Sequence, residues 1–234
     1  MTTGTEDFKR DIANHQMHVI RDDGVNRHIR FKRPGTGCMH FDLITWPGYL
    51  CYTGDMGTYV FARLEDMFVF FRRRIVDTPY RMDKHYWAEK VQAQDRDGIT
   101  EYSPECFKAN IKDHLQSYCD GMSDDERAEL TAEVKSDVLD WNADESEHEA
   151  VKAAMNFTFN GKHVFEDFWH YDNKAYTHRF EWCCHALEWA IDTYDMAKAA
   201  QASARQSARG RRLRLIRRIG WPVWVTVATD RIQT

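Results

Sequence analysis

The sequence lacks the short motifs that identify common nucleotide-binding and hydrolytic enzymes. Neither GxGxxG nor GxxxxGK[ST] occurs among its 234 residues, so nothing in it indicates a dinucleotide or P-loop site. The HExxH zinc motif and the GxSxG nucleophile motif are absent as well. We therefore predict no catalytic residues and no cofactor on the basis of motifs.

Long apolar runs and CxxC cysteine pairs are also missing. The apolar segment at residues 219–228 is only ten residues long, whereas a membrane-spanning helix needs about 20. The first residues are polar and contain no apolar core of a signal peptide. The 6 cysteines form no CxxC pair, which favours reduced thiols in the protein interior. Together these features predict a cytoplasmic protein without a membrane segment.

The first part of the chain has the period of β-strands. Between residues 16 and 62, short runs alternate apolar with polar residues, and turns that contain glycine separate the runs. This pattern predicts a meander of antiparallel hairpins with four or five strands. From Leu64 the apolar residues recur every three or four positions, which is typical of an amphipathic helix.

Most of the remaining chain is predicted to be helical. Ser103 followed by Pro104 marks one helix start, and Ser123 with Glu126 has the pattern of a capping box. Strands followed by helices predict an α+β fold, with an N-terminal antiparallel β-sheet packed against a C-terminal helical region. The predicted helices include residues 64–74, 83–94, 123–141, 145–157, 162–171 and 177–202. The predicted parts are a flexible N-terminus (1–15), the sheet with its first helix (16–80), a helical region (81–200) and a basic and apolar tail (201–234).

Five segments resemble a family of small proteins that bacteriophages and prophages encode. They are HIRFKRP (28–34), FDLITWPG (41–48), GDMGT (54–58), DMF (66–68) and FEWCCHALEW (180–189). The resemblance covers roughly residues 16–195 and stops before the tail. It implies an accessory phage protein that acts inside a bacterial host cell. Since such genes often encode inhibitors of host defence, anti-CRISPR proteins among them, the resemblance also implies an anti-defence role.

The acidic segment from Asp120 to Glu149 is the strongest binding signal. It holds 12 acidic residues against two basic ones, Arg127 and Lys135. Like charges four residues apart cost a helix about a few tenths of a kcal/mol, so this pattern does not favour local stability. One interpretation is that the acidic segment mimics nucleic-acid charge and occupies a basic cleft of a host protein or nucleoprotein complex. The simpler alternative is that it forms a solvated helix face that aids solubility. The predicted partner-binding residues are Asp124, Asp125, Glu126, Glu129, Glu133, Asp137, Asp140 and Glu145.

A metal-dependent hydrolase or nuclease is the alternative function. If residues 162–171 form a helix, His163 and Asp167 share one face, and Glu166 and His170 share another. Imidazole and carboxylate at this spacing are suitable ligands for Zn or Mn. Ion pairs on a helix face explain the same residues without a metal, and we predict no metal site.

Two further groups have a catalytic and a structural interpretation. Asp42 and Asp55 would form a carboxylate pair across two strands, able to perform acid–base chemistry, or Asp55 would cap its own turn. Cys183 and Cys184 lie among apolar residues, where burial raises a thiol pKa and disfavours a nucleophile. The structural interpretation is favoured for both groups.

The end of the chain is basic. Residues 200–234 hold 8 arginines and one acidic residue, Asp230, and begin with small residues typical of a linker. One predicted role of this tail is to contact phosphates, and it is the only part of the chain for which we predict direct contact with nucleic acid. The alternative is that it neutralises acidic surfaces within the chain or in a homodimer. Basic residues at 30–33 and 72–74 form a second patch, which solvated edge charge explains equally well. Seven of the tail arginines form the predicted basic cluster of the tail, namely Arg205, Arg209, Arg211, Arg212, Arg214, Arg217 and Arg218.

Overall fold

The structure is a computed structural model that describes residues 5–72, 83–140, 143, 144 and 146–218, of which 208–218 are described by their backbone alone. The chain divides into two compact units, Met1–Glu188 and Trp189–Thr234. The first unit confirms the α+β prediction, because an N-terminal antiparallel sheet is followed by helices.

The sheet is a six-stranded meander in which each strand pairs antiparallel with the next one in the chain. Its strands are β1 (Gln16–Asp23), β2 (Asn26–Lys32), β3 (Phe41–Trp46), β4 (Tyr49–Gly54), β5 (Gly57–Ala62) and β6 (Val91–Gln94). The four central strands each direct alternate side chains to one buried face. That face is formed by Ile29, Phe31, Phe41, Leu43, Leu50, Tyr52, Tyr59 and Phe61. The hairpins predicted between residues 16 and 62 are therefore confirmed.

Helices and helical turns account for much of the rest of the described chain. The α-helices are α1 (Thr5–Ile12), α2 (Met67–Phe71), α3 (Lys84–Ala88), α4 (Pro104–Tyr118), α5 (Asp124–Val134), α6 (Glu147–Asn156) and α7 (His178–Arg218). A π-helical turn, Lys135–Leu139, continues α5, and Phe168–His170 form a 3₁₀ turn. None of the helices in the described ranges combines the length and the apolar character needed to cross a membrane.

The sixth strand corrects one of the predicted helices. Residues 83–94 begin as α3, with Asp83 as N-cap, but the helix ends at Ala88 and the chain then extends along β5 as β6. Val91 pairs there with Phe61. The pairing gives partners to backbone groups on an otherwise open edge of β5, and this gain exceeds the local helical preference.

α1 and α7 cover the buried face of the sheet within the first unit. α1 lies in the segment that we expected to be flexible, and its Phe8 is buried. Phe8 contacts Trp182 of α7 edge-on at 5.1 Å between ring centroids, and Trp182 contacts Phe41 of β3 at 5.6 Å. The indole N–H of Trp182 donates to the Asp11 carboxylate at 3.1 Å. The apolar side of α1 therefore has a packing partner that its short sequence does not reveal.

A second apolar core lies among the helices that come after the sheet. Both predicted caps are confirmed there: Ser103 accepts a hydrogen bond from the Cys106 amide, and Ser123 and Glu126 form a reciprocal capping box. The core is built from buried side chains of α4, α5, α6 and the loops around them. They include Phe107, Ile111, Leu130, Val134, Val138, Ala150, Ala154, Phe165 and Phe168.

A short hairpin and the 3₁₀ turn replace a predicted helix in this region. Residues 162–171 form β9 (Lys162–His163), paired with β8 (Thr158–Phe159), and then the 3₁₀ turn. Asn160 and Gly161 make the hairpin with φ of 49° and 71°, and Asp167 has φ of 59°. These left-handed conformations cannot continue an α-helix, so the helical prediction was wrong here. Another pair joins β7 (Thr100–Tyr102) to β10 (Lys174–Tyr176).

Candidate functional site

The acidic residues predicted to bind a partner lie mainly on α5 and the π-helical turn after it. Leu130, Val134 and Val138 recur every four residues and are buried in the helical core. This stripe fixes one side of α5 against the protein and leaves the other side in solvent. The acidic side chains on the solvent side are the exposed Asp124, Asp125, Glu129 and Asp137 and the half-buried Glu133.

Four acidic side chains of this surface form no ion pair with a residue that the structure describes. Within the described part of the chain, no ion pair involves Asp124, Asp125, Glu129 or Glu133. The nearby Arg127 donates instead to the carbonyl oxygen of Cys119, at 3.1 Å. The negative charge of α5 is therefore left open to solvent or to a partner.

Glu126, one of the predicted partner-binding residues, has a structural role. Its carboxylate accepts hydrogen bonds from the backbone amide and the hydroxyl of Ser123, at 3.1 and 2.8 Å. These bonds lower the pKa of the Glu126 carboxyl. They complete the capping box, which satisfies amides at the start of the helix.

The π-helical turn changes the position of the last predicted residues. The amide of Asp140 donates to the carbonyl of Lys135, five residues earlier, at 2.9 Å. The extra residue in this turn rotates the subsequent residues by about 100° relative to an uninterrupted α-helix. Asp140 is exposed but no longer continues the row of Asp125, Glu129 and Glu133. Glu145 lies outside the described residues.

The residues of the alternative metal site are not arranged as a ligand set. The ring of His163 donates to the carbonyl of Met155 at 3.2 Å, and Asp167 accepts from the indole of Trp169 at 3.3 Å. His170 lies in the 3₁₀ turn, so the helical spacing on which the hypothesis depended does not exist. Among the residues that the structure describes, no three His, Cys, Asp or Glu side chains form a group able to hold a metal ion.

Asp42 binds two neighbours on the sheet and does not pair with Asp55. Its carboxylate accepts from Nε and Nη2 of Arg30, both at 2.8 Å, and lies 2.7 Å from Nε2 of His28. Burial by itself would raise the pKa of Asp42, but the hydrogen bonds from Arg30 and His28 lower it below the ordinary value.

Asp55 ties two loops together. It accepts from the backbone amide of Met39 at 2.6 Å and lies 3.0 Å from Nδ1 of His40. The prediction that Asp55 caps its own turn was wrong, because the amide that it accepts from belongs to the loop before β3. Asp42 on β3 and Asp55 in the turn between β4 and β5 therefore hold separate contacts and do not form a carboxylate pair for acid–base chemistry.

Cys183 and Cys184 are buried within α7, as predicted. Burial raises the pKa of both thiols well above its ordinary value. A thiol in such surroundings stays protonated at neutral pH and is a poor nucleophile.

The start of the basic tail is helical. α7 continues to Arg218 instead of giving way to a linker after residue 200, because Ala, Gln and Arg all favour helix. Arg205 is exposed on this helix, while Arg209 to Arg218 are described by their backbone alone. Residues 219–234, with the apolar end of the tail, lie outside the described residues.

Comparison of the chain with protein-family models, with curated proteins and with solved structures finds no match.

Proposed function

We propose that this protein is a phage-derived, non-enzymatic binding protein that inhibits a host defence nucleoprotein complex. In this proposal the acidic surface of α5 occupies a basic site that otherwise binds nucleic acid. The observation that supports it is the row of acidic side chains that form no ion pair with any described residue, on a helix whose opposite side is fixed by Leu130, Val134 and Val138.

The spacing of the charges is close to that of a nucleic-acid strand. Asp124, Asp125, Glu129 and Glu133 lie within nine helical steps, about 14 Å at a rise of ~1.5 Å per residue. The three intervals between these charges average about 4.5 Å, against ~3.4 Å per phosphate along one strand of DNA. A basic cleft that contacts successive phosphates would meet a similar density of negative charge on α5.

Rigid support makes this surface suited to binding. The side chains that anchor α5 are fully buried, and the capping box orders its first turn. A helix that is already ordered loses little conformational entropy when it binds. Its exposed charge also increases the association rate with a basic partner through electrostatic steering.

The test compares capture of the host complex by two sets of charge-reversed variants. Asp125→Lys, Glu129→Lys and Glu133→Lys together should reduce capture from host lysate by at least about tenfold, since attraction becomes repulsion. The matched control reverses the exposed acids Glu65, Glu101 and Glu166, which lie outside α5. Displacement of labelled nucleic acid from the captured complex measures the competition directly.

Three controls make the outcome decisive. Circular dichroism checks that the variants remain folded, and the neutral set Asp125→Asn, Glu129→Gln and Glu133→Gln separates lost attraction from new repulsion. Wild-type capture should weaken as salt rises, because exposed charges are screened within ~10 Å at 0.1 M salt. Equal loss of capture in both reversed sets, or capture without displacement of nucleic acid, would refute the proposal.

A further inference from the structure

A cavity of about 460 Å³ opens beside the loop that joins β2 to β3. Its walls come from the end of β2, the loop and the residue before β3. They are formed by Arg30, Lys32, Gly35, Thr36, Gly37 and His40. Three basic side chains therefore meet at one concave site, which is separate from the acidic surface of α5.

Two acidic groups near this cavity are already bound. Asp42 is held by Arg30 and His28. Asp55 accepts from the Met39 amide and lies 3.0 Å from Nδ1 of His40, whose single hydrogen it shares with the Gly37 carbonyl. Lys32 makes no ion pair with any residue that the structure describes. The cavity thus has one ammonium group, on Lys32, without a carboxylate partner among the described residues, and two further basic groups, on Arg30 and His40, that lie against carboxylates.

The loop presents hydrogen-bond donors. The Thr36 hydroxyl accepts from the Cys38 amide at 3.0 Å, which leaves its own hydrogen free to donate. The carbonyl of Gly37 accepts from the ring and the amide of His40, at 2.7 and 3.3 Å. Since this carbonyl is occupied, it repels an approaching anion less than a bare one would. The backbone amides of Gly35 and Gly37 donate no hydrogen bond to another described residue.

The guanidinium of Arg30 still has donors to offer. Arginine carries five N–H groups, and Nε and Nη2 each donate to Asp42. The other N–H groups remain, in a plane that Asp42 fixes. A planar donor group held in this way, next to a lysine, is a common arrangement for an anionic oxygen.

We infer that this cavity binds the phosphate group of a small phosphorylated molecule, with Lys32 as the principal contact. The cationic and hydrogen-bonding groups are complementary to a doubly charged oxyanion. The volume lies in the range of small-molecule sites, about 300–1,000 Å³, so the cavity has room for more of the ligand than its phosphate. The inference is independent of the acidic surface of α5, and either proposal can fail without the other.

The test titrates the whole protein, labelled with ¹⁵N, with adenosine 5′-monophosphate, inorganic phosphate and adenosine at constant ionic strength. The two phosphate compounds should shift the amide signals of Lys32, Gly35, Thr36 and Gly37 in a saturable way, and adenosine should not. Lys32→Met should weaken phosphate binding at least about tenfold, while Lys32→Arg restores most of it. The control Lys112→Met changes an exposed lysine on α4 and should bind as the wild type does.

Several results would overturn the inference. Shifts that sulfate, chloride and phosphate produce equally would indicate general salt effects, and equal weakening by Lys112→Met would indicate a diffuse charge effect. An oligonucleotide without terminal phosphates that binds here more tightly than adenosine 5′-monophosphate would assign the cavity to nucleic acid. The titration of the wild type alone locates the site by its amide shifts, so the test does not depend on the stability of the Lys32 variant.

Discussion

The pair of Arg27 and Asp66 joins the sheet to α2 and allows a quantitative prediction. Arg27 donates to both carboxylate oxygens of Asp66 at 2.9 Å, and its guanidinium lies 4.6 Å from the centre of the Phe68 ring. The side chains are only 8% and 24% exposed. Asp66 also caps α2 by accepting from the Phe68 amide at 2.9 Å.

Asp66→Ala removes two contributions at once. Loss of an N-cap costs about 1 kcal/mol. Loss of the carboxylate also breaks the bidentate ion pair with the buried guanidinium of Arg27, and removal of one partner of a buried pair costs about 3–5 kcal/mol. We therefore expect the free energy of unfolding to fall by about 4–6 kcal/mol, a large part of the ~5–15 kcal/mol typical of a folded protein.

Asp66→Asn separates the two contributions. Asparagine caps a helix about as well as aspartate does, so this change removes the charge and keeps the cap. The double variant Arg27→Met with Asp66→Asn removes both charges. It should be more stable than Asp66→Ala, because the buried guanidinium is removed together with the carboxylate that pairs with it.

Urea unfolding at pH 7, followed by circular dichroism, gives the free energies of all three variants and the wild type. If Asp66→Ala loses less than about 2 kcal/mol, the guanidinium of Arg27 is better hydrated than its burial indicates, and the reasoning fails. A double variant no more stable than Asp66→Ala would show that lost packing, and not unpaired charge, dominates.

Two further predictions concern the sheet. Gly54→Ala should destabilise the protein by about 1–3 kcal/mol, because an added Cβ would lie 2.7 Å from a backbone Cα of β3. In the control Gly37→Ala, the added Cβ meets open space, so this variant should lose less than about 0.5 kcal/mol in the same urea assay. The lowered pKa of Asp42 predicts a contribution to stability that is present above the unfolded-state pKa of about 3.9 and is lost as the pH falls through the folded-state pKa. The stability difference between the wild type and Asp42→Asn should therefore shrink from pH 7 to pH 3, and a constant difference in urea unfolding across this range would contradict the assignment.

The sheet was predictable because its signals are local. Alternation of apolar residues assigns one face of each central strand, and the turns carry glycine where the chain reverses direction. Gly48 and Gly57, for example, have φ of 85° and 94°, which few other residues adopt. The period-two pattern and the turn chemistry agree from β2 to β5, so pairing in chain order is the expected result.

Two errors occurred where a distant partner decides the local structure. Residues 91–94 form a strand because the edge of β5 is open to them. α1 is ordered because its Phe8 and Asp11 both contact Trp182, far along the chain. Pattern alone does not contain these contacts.

The error at residues 162–171 has a local cause. Apolar positions there recur at helical spacing, yet left-handed backbone at Asn160, Gly161 and Asp167 excludes a continuous helix. The Asn160-Gly161 pair is a hairpin signal that the sequence does contain.

The candidate sites differ in the same way. The acidic row on α5 arises from four-residue spacing within one helix, so the sequence could indicate it. The cavity beside the β2–β3 loop needs Arg30 and His40 to be brought together by strand pairing, and it depends on which carboxylates are already occupied. The sequence offered only a basic patch at residues 30–33 as a signal for it.

The structure also narrows which acidic residues of α5 need a functional explanation. Asp124, Asp125 and Glu126 lie in the first turn, where negative charge interacts favourably with the helix dipole by about 0.3–1 kcal/mol per residue. Stability accounts for these three. Glu129 and Glu133 lie beyond that turn, repel each other at four-residue spacing and form no ion pair with a described residue. If the acidic surface binds a basic partner, these two residues are the ones whose presence folding does not explain.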